Sequence, residues 1–153
     1  MKMIQSLNNG DHITVRLFGK ETDVEVFSTG ENRYDETGCC KEGGFALNGE
    51  ELACLNWFLE NVDIADYRKE ITAYCNEQYE AIGGDTIAED DLEEEIDIFA
   101  IAINIGGITQ SEDGFVYPEI SFYGDCQCDE EHGICIGFRD KKFLGVESQD
   151  WTL

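Results

Sequence analysis

The segment GDCQCDEEHGICIGF, Gly124 to Phe138, holds three cysteines, one histidine and four carboxylates, the side chains from which metal centres and nucleophilic sites are built. A zinc site here would draw on Cys126, Cys128, His132 and Cys135, or would join the cysteines among them to Cys39 and Cys40. Structural zinc sites present cysteines roughly two to four residues apart, because that spacing aims both sulfurs at one ion from a tight knuckle. A vicinal Cys39-Cys40 pair and a Cys126-x-Cys128 pair in expected strand depart from that frame. Asp125, Asp129 and Glu131 supply oxygen donors, but Gly133 and the residues after it do not fit the central glycine and late glutamate of a calcium loop.

Nucleophilic catalysis would pair His132 with Cys128 or Cys135. So acidic a neighbourhood stabilises imidazolium but raises a thiol's pKa, which works against an activated cysteine. Carboxylate pairs are too abundant to carry a signal, and Gly83-Gly84 and Gly106-Gly107 lack the lysine and spacing of a phosphate loop. The reading that needs no special chemistry makes Asp129 to His132 a polar turn, Gly133 its positive-φ residue and ICIGF the strand after it. No catalytic residue, metal or cofactor is expected on that reading. A metal-binding or thiol-dependent enzyme using Cys126, Cys128, His132 and Cys135 is the alternative.

The elements that position this segment are read from periodicity. Alternation of Ile13, Val15 and Leu17, then of Val24 and Val26, predicts a hairpin with one wet face. The polar, glycine-rich stretch from Gly30 to Gly44 predicts an exposed loop. Asn48 with Glu51 three residues on is a capping-box pattern, opening a helix whose stripe includes Leu52, Leu55 and Leu59. A second helix is expected from Ile64 to Ile82, with Cys75 in its apolar stripe, ended by Gly83. The run from Ala88 to Asp97 predicts a short acidic helix, and IFAIAINI a central strand with Ile101, Ile103 and Ile105 on one face. Pro118 predicts a sheet edge or a bulge, and ICIGF pairs with KFLGVE as a hairpin. The fold class is α+β: an antiparallel sheet with an N-terminal hairpin, a central segment of two to three helices and a C-terminal β-meander. At 153 residues, residues 1–153 form one acidic domain.

Acidic residues outnumber basic ones 34 to 10, for a net charge of -24. Such a surface repels phosphate backbones and anionic lipid, so no nucleic-acid or membrane partner is expected, whereas a basic protein would be steered toward it. The densest run, Glu89, Asp90, Asp91, Glu93, Glu94 and Glu95, is the expected contact surface; a merely solvated face, with charge serving only solubility in a structural or regulatory module, is the competing reading. The N-terminal stretch has no apolar run of the roughly 7 to 15 residues of a signal peptide, which predicts a cytoplasmic protein with its seven cysteines reduced. No pattern specifies an oligomeric state.

Asp129-Glu130-Glu131-His132-Gly133, continued by an alternating strand, a lysine turn and the closing VESQDWTL, resembles the C-terminal signature of a group of uncharacterised bacterial cytosolic domains. The helical WFLEN, Trp57 to Asn61, is similar too. In that group an aromatic residue often precedes the aspartate, where Cys128 stands here. The resemblance implies a domain of unknown function, some of whose members look like toxin-immunity proteins; the role expected for this chain is that of a non-enzymatic acidic protein that binds or neutralises a basic protein partner. It marks Asp129, Glu131, His132, Gly133, Gln149 and Asp150 as motif positions and assigns them no chemistry.

Overall fold

A computed structural model describes residues 3–152, the last by its backbone alone; Met1, Lys2 and the closing Leu153 lie outside it. The fold is α+β. Six strands form one sheet in the order of the chain: β1 (His12–Leu17), β2 (Lys20–Ser28), β3 (Ile96–Ile103), β4 (Ile120–Cys126), β5 (Ile134–Arg139) and β6 (Lys142–Glu147). Every neighbouring pair is antiparallel except β2 and β3, which run parallel. A parallel pair needs a long crossover. The whole helical segment supplies it.

That crossover contains α1 (Gly49–Asn61), a 3-10 turn at Ile64–Tyr67, α2 (Arg68–Ala81), a second 3-10 turn at Glu89–Asp91 and α3 (Leu92–Glu95). The capping box of α1 forms as expected, with the Asn48 side chain accepting from the Glu51 amide and the Glu51 side chain accepting from the Asn48 amide. The second helix starts later than its apolar stripe predicts, because Asp63 caps a 3-10 turn first. The acidic helix is the larger correction. Only Leu92 anchors its first turns in the core, α3 is one turn long, and Ile96 and Asp97 already belong to β3. Pro118 stands just before β4, outside the ladder.

The helices cover one face of the sheet. There Val26, Ile101, Phe122, Ile136 and Val146 line up across five strands, and Leu55, Phe58, Ile64 and Ile71 close over them. The ring of Phe138 is the centre of this core, 5.3 Å from Phe58, 5.4 Å from Tyr67, 6.1 Å from Phe122 and 5.8 Å from Phe143. One extra residue in β3, Phe99, forms a bulge against β4. It reverses the alternation, so that Ile96 and Ile98 before it and Ile101 and Ile103 after it all face the core. Gly124 lies opposite, where a Cβ would fall 1.9 Å from the Asp97 carbonyl oxygen.

The outer face is split. Ala102, Ser121, Gly137 and Gly145 make a row of small residues on which Trp151 lies, its indole Nε1 donating to the Val116 carbonyl at 2.9 Å. The rest carries Phe27, Phe99 and Tyr123 in edge-to-face contact. Among the described residues, no helix is long and apolar enough to cross a membrane.

Phe138→Ala is expected to cost about 3 to 5 kcal/mol, since removing a fully buried ring loses its transfer energy and leaves a cavity. Urea denaturation measures it, and a loss below about 1 kcal/mol would contradict a core centred on this ring.

Candidate functional site

The acidic run does not form a uniform surface. Arg68 of α2 reaches across it, pairing with the Glu93 carboxylate and donating to the Glu89 carbonyl at 3.0 Å. Glu95 turns inward and is 5% exposed, its two oxygens accepting from the Tyr79 hydroxyl at 2.6 and 3.0 Å. Of the six predicted contact residues, Glu89, Asp90, Asp91 and Glu94 therefore remain exposed without an ion pair among the described residues.

A larger assembly of charge forms where this run enters the sheet. Glu94 and Glu95, then Ile96 and Asp97, meet Asp125, Cys126, Gln127 and Glu130 around a cleft of about 400 Å³. Asp97 and Asp125 are direct partners across β3 and β4, and both are exposed. Like charges in that register repel, and no basic side chain pairs with Glu94, Asp97, Asp125 or Glu130 among the described residues. The aromatic patch adjoins them on the same face. Tyr123 sits in it with its hydroxyl pKa pushed up, by burial and then by the Glu25 carboxylate.

The cysteines separate into different environments. Cys39 and Cys40 stay in the exposed loop. Cys135 pairs with Tyr123 and Glu147 on the outer face, where burial pushes its thiol up to about 12. Cys126 ends β4 facing the core, the chain turns at Gln127–Asp129, and Cys128 follows it inward until the two sulfurs stand 3.4 Å apart. The strand spacing assumed from sequence gives way to a 3-10 turn, which brings a C-x-C pair together.

The other two members of the predicted ligand set are not with them. Cys135 is on the opposite face of the sheet, and the His132 imidazole is held by Asp129 at 3.1 Å in the exposed turn. Cys75, which keeps its expected place in the apolar stripe of α2, and Glu95, expected on the exposed acidic run, are there instead. Cys75 and Tyr79 follow Ile71 at four-residue intervals on the inward face of α2, and the donor atoms of Cys75, Glu95 and Cys128 lie within 4.8 Å of one another. All three are buried. No local spacing could have signalled this, because 53 positions separate Cys75 from Cys128.

The Cys126 and Cys128 thiols are poor nucleophiles. The Cys126 thiol is raised by its hydrogen bond with Cys128 and by burial. For Cys128 the bond with Cys126 lowers the pKa, but the bond with Cys75, burial and nearby charge outweigh it and set the value at about 12. A neutral thiol attacks weakly.

The motif residues have a structural part. The Asp129 carboxylate accepts from the His132 amide at 3.1 Å, and the Asp129 carbonyl accepts from the Gly133 amide at 2.9 Å. Gly133 has φ +64, and a Cβ there would come within 2.2 Å of the Gln149 amide nitrogen. That amide donates to the Gly124 carbonyl at 2.6 Å, while the Gln149 backbone donates to His132 at 2.9 Å. The C-terminal turn is thereby fastened to the β4–β5 connection. Glu131 and Asp150 are exposed beside it and add negative potential at His132.

These features define a small acidic α+β protein with a carboxylate-lined cleft at one end of its sheet and a thiol cluster beneath. The chain belongs to the family described as a domain of unknown function, DUF6985, which matches residues 4–153. No curated protein and no solved structure matches it.

Two measurements test this geometry. Asp97→Asn is expected to raise stability by about a few tenths of a kcal/mol by relieving the cross-strand repulsion; a loss in chemical denaturation would contradict it. The hydrogen bond and charge of Asp129 raise the His132 pKa above its ordinary 6.5. Because the folded value is the higher one, the stability this pair contributes is full at pH below the ordinary value and is lost as pH rises through the folded pKa. An NMR titration should place the His132 midpoint above 6.5, and Asp129→Asn should lower it. A wild-type midpoint at or below 6.5 contradicts the pairing.

Proposed function

We propose that this protein is a non-enzymatic, cytoplasmic binding protein that captures a basic segment of a protein partner in the cleft between α3 and the β4–β5 connection. The observation that carries the reading is the facing pair Asp97 and Asp125, two exposed like charges in register that no basic side chain pairs with among the described residues. A protein that keeps such a pair forgoes some stability, and an incoming ammonium or guanidinium would offset the repulsion. Phe27, Phe99 and Tyr123 beside it offer faces on which the stem or cation of a lysine or arginine can lie. The site differs from the acidic run expected from sequence, because Arg68 already occupies Glu93, and Glu95 is buried.

Neutralising a basic toxin is the form of this activity that the bacterial, immunity-type resemblance implies. The neutral thiols of Cys126 and Cys128, and the engagement of His132 by Asp129, favour binding over catalysis.

An oligolysine peptide titrated calorimetrically into the protein, with oligoglutamate as its counterpart, tests the reading. Oligolysine should bind, and more weakly as salt rises. The variant Glu94→Gln/Asp97→Asn/Asp125→Asn removes only three of 34 acidic residues. It should weaken binding about tenfold, at a few tenths to about 1 kcal/mol for each exposed pair. Unchanged affinity in that variant would mean that the charge serves solubility and not a site.

A further inference from the structure

Cys75 comes from the middle of α2, Glu95 from the last position of α3 and Cys128 from the turn after β4. They meet below the cleft with Cys126 against Cys128 on one side. We propose that Cys75, Cys128 and Glu95, with Cys126 as the fourth donor, form a binding site for a zinc-type divalent cation.

A buried carboxylate is ordinarily paired with a cation, bound to a metal or neutralised, since leaving its charge unpaired in the interior is costly. Glu95 is 5% exposed and accepts from the Tyr79 hydroxyl, and no lysine, arginine or histidine pairs with it among the described residues. The Cys75 and Cys128 thiols beside it, with Cys126 against Cys128, are the complement that a soft or borderline cation needs: each becomes a strong donor on losing its proton to the metal.

The distances fit as well. In a tetrahedral centre with metal–sulfur bonds of about 2.3 Å, neighbouring sulfurs sit about 3.8 Å apart. The Cys126 and Cys128 sulfurs are 3.4 Å apart, and the donor atoms of Cys75, Glu95 and Cys128 are within 4.8 Å. Cys75, Glu95 and Cys128 are the assembled part of the set, and Cys126 joins it through its contact with Cys128. The Tyr79 hydroxyl would then act as an outer partner that orients the Glu95 carboxylate.

The cleft supplies a way in. Glu95 and Cys126 form part of its wall, and its rim carries Glu94, Asp97, Asp125 and Glu130. A cation therefore meets converging negative potential on the way to its donors. Three sulfurs and one oxygen select against magnesium and calcium, which take oxygen ligands, and fit zinc. The site does not depend on the cleft being a protein-binding surface.

The test uses the full chain, reduced. Metal-free protein is titrated with zinc against a chromophoric chelator, and with cobalt(II) to read thiolate coordination. The expected result is one zinc per chain and a sulfur-to-cobalt charge-transfer band. Cys75→Ser, Cys128→Ser and the isosteric Glu95→Gln should each weaken zinc by more than the roughly 10- to 100-fold that outer-shell changes cost. Asp97→Asn/Asp125→Asn should keep the stoichiometry, so this arm succeeds or fails apart from the oligolysine experiment. A folded wild type with no charge-transfer band overturns the site, as does zinc that persists in Cys128→Ser and Glu95→Gln but leaves in Asp97→Asn/Asp125→Asn. If a serine variant does not fold, Glu95→Gln and the wild-type cobalt spectrum decide.

Discussion

The parallel pairing of β2 with β3 is the constraint on which the rest of the architecture depends. Two parallel neighbours cannot be joined by a hairpin, so the chain must leave the end of β2, travel the length of the sheet and re-enter in the same direction. The apolar row on one face gives that excursion a surface to pack on, and α1 and α2 settle there. The return leg ends in the acidic turn from Glu89 to Glu95, which is delivered to the end of the sheet where β4 also finishes. The cleft and the thiol cluster both lie at this junction. Neither belongs to one element.

Charge and burial compete at the junction, and the outcome varies from residue to residue. Glu93 is neutralised locally by Arg68, whose guanidinium also lies over the Phe18 ring. Glu94 and Asp97 go to solvent, while Leu92, next after the 3-10 turn, is fully in the core and Glu95, three positions on, is buried with it.

Much of the fold was legible because it rests on local periodicity. The alternation of Ile13, Val15 and Leu17 marked β1, and Asn48 with Glu51 marked the start of α1. What escaped depends on partners distant in the chain. The parallel β2–β3 pair leaves no mark in either strand's own alternation. The acidic run has the composition of a helix but too few apolar residues to hold one against the core, and β-branched Ile96 and Ile98 claim its end for a strand. At the site, sequence marked Cys126 and Cys128 but joined them to His132 and Cys135, their neighbours along the chain. The sheet's two-sidedness sends Cys135 to the other face, and the crossover brings Cys75 and Glu95 in their place.

The bulge at Phe99 sets a rule about chain length rather than residue identity. Phe99 is 39% exposed, and its ring is not part of the core. Deleting it would restore simple alternation and turn Ile96 and Ile98 out to water, or else expel Ile101 and Ile103. Substitutions at this position should be absorbed, while a one-residue insertion or deletion between Ile98 and Ala100 should not. The tolerance of this strand to evolutionary change is therefore governed by counting.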